Sequence, residues 1–416
     1  MSGRRRRSSP LRIIVLVLLV AGALYVNQVV VPATPPLFIP TATPTRSPES
    51  FLKDAQDLIG EGRINQAIEA YKMAAKADPR NPAIYVTLAR WQVLYGDYVG
   101  AMENAENALL LNPNHALAHA VRGWILGKQG DFLAGEAEIR TSLGLDPNSA
   151  LAYAYLAELY LDRISANQDD LNTLDKAIEA SKTARDLDPS LLEVRRARGL
   201  VLQNTTNHEE AIQEFEAAIA MNENLAELYV SLGISYRLTQ QADRAVETFL
   251  RAIALRPDDA EPYAELAATY FNAGEYAKGI QYAEEAVKRT PENPFLQGLL
   301  GTLYFRNLQY TESIPYLRLS MRGGFTEEGV QVQPMELDRQ DAASVAYFSR
   351  FGIALANVGQ CGEALQVAQE LLQKIPDDEN AAYNAQVMID TCRELAENPP
   401  PVDAEAEPAV TETPAP

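Results

Sequence analysis

His115 and His119 lie four residues apart, which sets two imidazoles on one face of a helix, as metal ligation requires. No third ligand follows at a motif spacing. His119 also occupies a column filled elsewhere by Tyr85, Tyr153, Tyr229 and Tyr263, so core or surface packing is the expected role. Gly123 to Lys128 faintly resembles a phosphate-cradling loop. It is one residue short, and no Ser or Thr follows Lys128. There is no HExxH, no CxxC and no nucleophile elbow. The carboxylates are numerous but scattered, as on solvated helix faces. The expectation is a chain with no catalytic residue, no cofactor and no metal site. Cys361 and Cys392 are the only cysteines. An even count in an exported chain fits a disulfide, and two buried thiols are the alternative.

The larger pattern is a ruler. Asp-Pro or Asn-Pro recurs at Pro79, Pro113 and Pro147; the interval lengthens before Pro189, and the register resumes at Glu223, Pro257 and Pro291. Small residues repeat with it at Ala89, Gly123, Ala157, Gly199, Gly233, Ala267 and Gly301, and Tyr or Leu usually follows three positions later, from Leu126 to Tyr304. A second small column runs through Ala108, Ala184, Ala218, Ala252 and Ala286. Gly96-Asp97, Gly130-Asp131 and Gly274-Glu275 mark tight turns between the two halves of a unit. Each unit therefore reads as helix, turn, helix, proline-marked turn. Small residues let antiparallel helices approach, and the neighbouring aromatic or Leu fills the remaining volume. Most of the 19 tyrosines fall in these packing columns.

This pattern resembles the tetratricopeptide repeat. Nine units are expected, at 48–81, 82–115, 116–149, 150–191, 192–225, 226–259, 260–293, 294–327 and 345–378. Gly135, Gly279 and Ser313 depart from the expected Ala, and Arg195 and Gln297 from the expected aromatic. The resemblance implies an all-α, right-handed superhelical solenoid of stacked antiparallel helix pairs over 48–396, closed by a capping helix at 379–396. It also implies that the end of that last helix lies beside the turn of the preceding unit, where a Cys361–Cys392 bond would fasten the cap.

Outside the repeats the composition changes. Residues 1–10 are basic, and Leu11 to Val31 form an apolar run just long enough to cross a bilayer. The expectation is one N-terminal transmembrane helix at 11–31, with residues 1–10 cytoplasmic and the repeats extracytoplasmic. Cleavage of a signal peptide near Ala23, followed by secretion, is the alternative. Residues 32–47 are rich in Pro and Thr and suit an extended spacer. Residues 397–416 read as a disordered tail of Pro and acidic residues. Loops are expected around Ser165 to Asp175 and at 322–344, where alternation at Val330 to Gln333 allows a short strand or hairpin. The net charge of −20 excludes a nucleic-acid partner, whose phosphates need a basic face. It serves solubility or a preference for basic partners.

In proteins of the resembled family the first helix of each unit lines a concave groove. That face here would present Arg90, Tyr155, Glu158, Arg196, Gln203, Glu227, Arg237, Glu265, Phe271, Phe295, Phe305, Arg306, Arg350 and Asn357. The clustered Lys, Arg and Asn with which some members grip a terminal carboxylate are not apparent. A mixed groove suits an extended peptide or a partner helix. The expected function is a membrane-tethered, non-enzymatic scaffold or adaptor in an envelope or secretion assembly. The alternatives are an accessory module of an enzyme complex and a carbohydrate- or small-ligand-binding solenoid.

Overall fold

The structure is a computed structural model that describes residues 10–30, 46–168 and 170–398. It begins with α1 (Pro10–Tyr25), after which Val26–Val30 wind as a π-turn. Nine antiparallel helix pairs follow. They are α2 (Pro48–Gly60) with α3 (Ile64–Ala77), α4 (Pro82–Tyr95) with α5 (Tyr98–Leu111), and α6 (Ala116–Lys128) with α7 (Phe132–Leu145). Next come α8 (Ala150–Ser165) with α9 (Thr173–Leu187), α10 (Leu192–Asn204) with α11 (His208–Met221), and α12 (Ala226–Leu238) with α13 (Ala242–Leu255). The last three are α14 (Glu261–Asn272) with α15 (Tyr276–Arg289), α16 (Pro294–Arg306) with α17 (Tyr310–Arg322), and α18 (Ala342–Asn357) with α19 (Cys361–Lys374). The single helix α20 (Glu379–Glu397) covers the C-terminal end. The described residues thus form an all-α solenoid.

Local signals set the helix ends. Asn81, Asp97, Asp131 and Asp378 each accept a backbone N–H from the first turn of the following helix. Pro48, Pro82 and Pro294 occupy first-turn positions, where a missing N–H costs nothing. The turn inside each pair needs one left-handed residue. Gly96 meets this at φ 90°, whereas Leu308 takes φ 62° with a side chain. A side chain there costs about 1–2 kcal/mol, and Leu308 is largely exposed, so it recovers little by packing. Leu308→Gly is therefore expected to raise stability by about 0.5–1 kcal/mol after the extra chain entropy of glycine is deducted. A urea titration of both proteins checks it.

The small columns are where helices touch. A Cβ on Gly123 would lie 2.6 Å from the Gly135 carbonyl oxygen, and one on Gly233 would lie 2.5 Å from the Phe249 ring. Packing thus accounts for Gly123, which faces another helix backbone and no phosphate. In the 322–344 insertion, β1 (Gly324–Phe325) pairs antiparallel with β2 (Gln331–Val332) in a two-stranded hairpin. Its return limb folds onto the body. The Met335 N–H donates to the Ser320 carbonyl at 2.8 Å, and Val332 and Met335 are buried.

The expected 11–31 transmembrane helix needs correction. No helix among the described residues is long and apolar enough to cross a membrane. The α-winding stops at Tyr25, just before Asn27 and Gln28, so α1 has 16 residues. At 1.5 Å per residue that is about 24 Å, short of a hydrocarbon core of about 30 Å. Residues 1–9 of the expected cytoplasmic segment 1–10, 32–45 of the spacer 32–47 and 399–416 of the tail 397–416 lie outside the described residues.

Candidate protein-binding groove

The first helices do face inward. Residues of α4, α6, α8, α10, α12 and α14 converge on a half-open cavity of about 160 Å³, lined by Trp124, Lys128, Glu158, Arg196, Glu227 and Glu261 among others. The stack has curved far enough for distant units to meet. Arg90 on α4 donates to Glu193 on α10, 103 positions on. The Asn224 amide donates to the Gly60 carbonyl at 3.4 Å.

That curvature changes the role of four expected groove residues. Tyr155, Glu158 and Arg196 are no more than 5% exposed, and Arg90 is tied to Glu193. The Trp124 indole stacks on Tyr155 with ring centroids 4.3 Å apart, and its Nε1–H donates to Glu158 Oε2 at 2.9 Å. Arg196 grips Glu158 with Nε at 3.0 Å and Nη2 at 2.7 Å, reaches Glu227 with Nη1, and lies over the Trp124 ring. Lys128 donates to Asp162 at 3.1 Å. Burial pushes the Tyr155 hydroxyl pKa up; the Tyr155 oxygen and then Glu193 hold Arg90 above the usual arginine range, and Glu158 and Glu227 outweigh burial to do the same for Arg196. These residues form a polar core around the superhelix axis. Tyr155, Glu158 and Arg196 are buried too deeply to offer a peptide much surface, whereas Arg90 keeps a quarter of its side chain exposed.

The middle members are linked to one another. Gln203 donates to the Ser231 carbonyl and the Ser235 hydroxyl on α12. Arg237 pairs with Glu265 at 2.8 Å. The later members are more open. Phe271 meets Tyr276 edge-on, Phe305 meets Tyr310 likewise, and Arg306 donates to the Tyr276 hydroxyl. Phe295 is half exposed. Arg350 reaches only Thr302, at 3.4 Å. Asn357 bonds back to the Ile353 carbonyl of its own helix and stands exposed.

Trp124, Lys128, Asp162, Glu193 and Glu261 were missed as members of this inner face. The signal was present, because Trp124 to Glu158 and Lys128 to Asp162 are both separated by 34 residues. Equal columns of adjoining units touch. Glu193, Glu227 and Glu261 repeat at the same period on successive first turns.

Glu261 lies at the mouth of a cavity of about 860 Å³ between the turn at Gly62 and the loops around Asn224 and Arg256. Glu261 keeps exposed surface, yet desolvation within the cavity, followed by the charges of Asp259, Glu265 and Glu227 with Arg256 opposing them, pushes its pKa up to about 7. A free glutamate titrates near 4.5. Between those values the folded chain holds a proton that the unfolded chain has lost, so this group lowers stability as pH rises through the window. Glu261→Gln is expected to raise the melting temperature at pH 8 and leave it unchanged at pH 4, read from parallel thermal melts.

Cys361 at the start of α19 and Cys392 late in α20 are joined as a disulfide, with Cα atoms 5.6 Å apart. His115 caps α6 through the Ala118 N–H, and His119 bonds Glu138 at 2.7 Å. Among the described residues no three metal-binding side chains cluster.

Family models of the tetratricopeptide repeat match residues 58–125, 196–260 and 248–281. Over those residues the chain is similar to the tetratricopeptide repeat. Over 93 residues it is 32% identical to a tetratricopeptide repeat and J domain-containing co-chaperone, DNJ1, of Cryptococcus neoformans. The match takes in 22% of this chain and 18% of that protein, so the chain spans under a fifth of the curated relative. Among solved structures it is similar to pilF of Pseudomonas aeruginosa, with TM-score 0.40, 21% identity, and 49% of this chain and 90% of that one covered. It is also similar to the type IV pilus biogenesis factor PilW, with TM-score 0.44, 21% identity and coverage of 49% and 91%. The Cut9–Hcn1 hetero-tetramer of the APC/C gives TM-score 0.48, 16% identity and coverage of 60% and 48%.

Proposed function

We propose that the chain is a scaffold or adaptor that holds an extended peptide or partner helix against the inner face of its last three repeats. The observation that carries this is the division of that face. Its N-terminal half is closed on itself by the Glu158–Arg196 network, whereas Phe271, Phe305, Arg306 and Arg350 in the C-terminal half leave polar and aromatic groups free for a partner. Aromatic pockets would supply contact area, and charges would set register. Phe271 and Phe305 are half-buried against neighbouring tyrosines, which suits side-chain pockets better than the flat exposed platform a carbohydrate needs.

The proposal includes a tether. Arg4 to Arg7 and Arg12 precede the apolar run, and the large apolar side chains described from Leu11 to Val26 are 50–72% exposed. Such surface calls for a lipid cover, and a bilayer thins around a segment shorter than its core at a modest cost. On this reading the repeats stand outside the cytoplasm, in an envelope or secretion assembly.

Photo-crosslinking tests the groove. A benzophenone side chain at Phe271 or Phe305 should capture one discrete partner, and the same group at exposed Leu133 on α7 should not. Equal capture at all three sites refutes the groove. Protease digestion of intact cells tests the tether, because repeats outside the cytoplasm are cut without breaching the membrane.

A further inference from the structure

A packing column changes in the eighth unit, and a cavity stands at the change. Tyr229 and Tyr263 each donate a hydroxyl to the carbonyl six residues earlier, Glu223 at 3.0 Å and Pro257 at 3.3 Å. Arg289 covers the Tyr263 ring. Its guanidinium carbon lies 3.7 Å from the ring centroid, and its N–H groups donate to the Tyr263 hydroxyl and the Pro257 carbonyl. One period of 34 residues later, Gln297 stands for Tyr263 and Gly323 for Arg289. Gln297 Nε2 still donates to the Pro291 carbonyl, at 2.8 Å. The ring and the arginine are both gone.

A cavity of about 460 Å³ opens there, bounded by α15, α16, α17 and the turn of the hairpin. That is the size of small-molecule sites. Val287, Leu300, Leu319 and Tyr316 give it an apolar wall. Gln297 lies on the lining, is 1% exposed, and its Oε1 has no partner. The Pro291 carbonyl can only accept, so it commits the amide nitrogen and leaves the oxygen as the group the cavity offers. The rim is acidic. Glu284, Glu327 and Glu328 line it, with Lys288 as the one cation among the described lining residues. Thr326 N–H donates to the Val330 carbonyl at 2.9 Å and Gly329 turns at φ 82°, which fixes Glu327 and Glu328 at the tip. Among the described residues none of these three carboxylates has a cation within 4.0 Å, although Glu285, next to Glu284, pairs with Arg289 at 2.6 Å.

We propose that this cavity binds an organic cation, a guanidinium or ammonium carried on an apolar stem, with Gln297 Oε1 as its buried acceptor and Glu327 and Glu328 as its counter-charges. The missing groups set the chemistry. A buried acceptor left without a donor is costly, so the ligand brings an N–H. Three carboxylates select a cation and repel an anion. The apolar wall takes the stem, as lysine and arginine stems lie along apolar surface. The ligand gives Gln297 the N–H that Arg289 gives Tyr263 one unit earlier. Two second helices and the hairpin bound the site, so it stands apart from the inner face and goes beyond the groove reading.

Fluorescence anisotropy on the full chain in neutral detergent tests it with two probes, dansyl-cadaverine and the dansylated amino alcohol of the same length. The amine should bind about tenfold or more tighter than the alcohol, as one charge-assisted contact allows. Gln297→Tyr restores the ring of the column, fills the cavity and changes no charge, so it should weaken the amine about tenfold or more. Glu327→Gln with Glu328→Gln should do the same. Glu103→Gln with Glu247→Gln removes equal charge from exposed positions on α5 and α13 and should leave binding as it was. Equal binding of amine and alcohol, or binding of neither, overturns the proposal. Amine binding that survives Gln297→Tyr, or that falls equally in both double variants, marks a general attraction to the acidic surface and also overturns it. Circular dichroism melts confirm that each variant is folded; should Gln297→Tyr fail to fold, the pair on the exposed turn decides alone. Competition then separates the sources. Stronger displacement by agmatine assigns a free small cation, and stronger displacement by acetylated, amidated Leu-Lys-Leu assigns a side chain of a polypeptide; both support a cation site. Displacement by neither overturns it. None of these substitutions lies on a residue of the groove, so failure here leaves the groove reading standing.

Discussion

Glu158→Ala is expected to destabilise the chain by about 3–5 kcal/mol, the loss that follows when a buried ion pair is broken from one side. Glu158 is 1% exposed and serves two partners at once. It accepts the Trp124 indole N–H and both sides of the Arg196 guanidinium. Removing it leaves Arg196 buried with only Glu227, strands the indole donor, and opens a hole beside the Trp124–Tyr155 stack. The loss should spread, because these side chains come from α6, α8, α10 and α12 and join four successive repeats. Paired replacement of Glu158 and Arg196 by Leu and Met should cost much less, since matched apolar groups leave no orphaned charge. Chemical denaturation of the single and paired variants checks both values. A single variant within about 1 kcal/mol of the parent would show that this network is not the axis of the stack.

Reduction of the Cys361–Cys392 bond is the second large effect, and it should stay local. The bond closes a loop with a sequence separation of 31. A cross-link of that span restricts the unfolded chain by about 3–4 kcal/mol. In a stack of repeats each unit leans only on its neighbours, so the loss falls on the end unit. Helix α20 would fray first, because it has a partner on one side only. Hydrogen exchange should rise through 379–397 on reduction while α6 to α12 keep their protection. Cys392→Ala should reproduce the result without reductant.

The repeat architecture was legible because it rests on short-range rules. Pro79, Gly96 and Asp97 act within a turn of where they stand, and Gly123 or Gly233 can be read as contact points because nothing larger fits between two helix backbones. Such signals recur at one period, so each unit reinforces the next. The N-terminal segment shows where local reading reached its limit. Hydropathy registered a continuous apolar run, while the backbone changed winding near Asn27 and Gln28, and helix length depends on that winding.

The groove was less legible, and for a different reason. Phase along a helix assigned Arg90, Tyr155, Glu158 and Arg196 to the inner face. It carried no information on whether that face stays open. Openness depends on how tightly the stack curves, and curvature is the sum of small rotations at every helix contact. Only that sum brings Arg90 to Glu193 and Asn224 to Gly60. The sequence by itself determined the helices, their pairing and their inward columns, because those follow from neighbours within one repeat. The tertiary structure decided which inward residues became core and which stayed free, because closure is set by contacts between residues more than 100 positions apart.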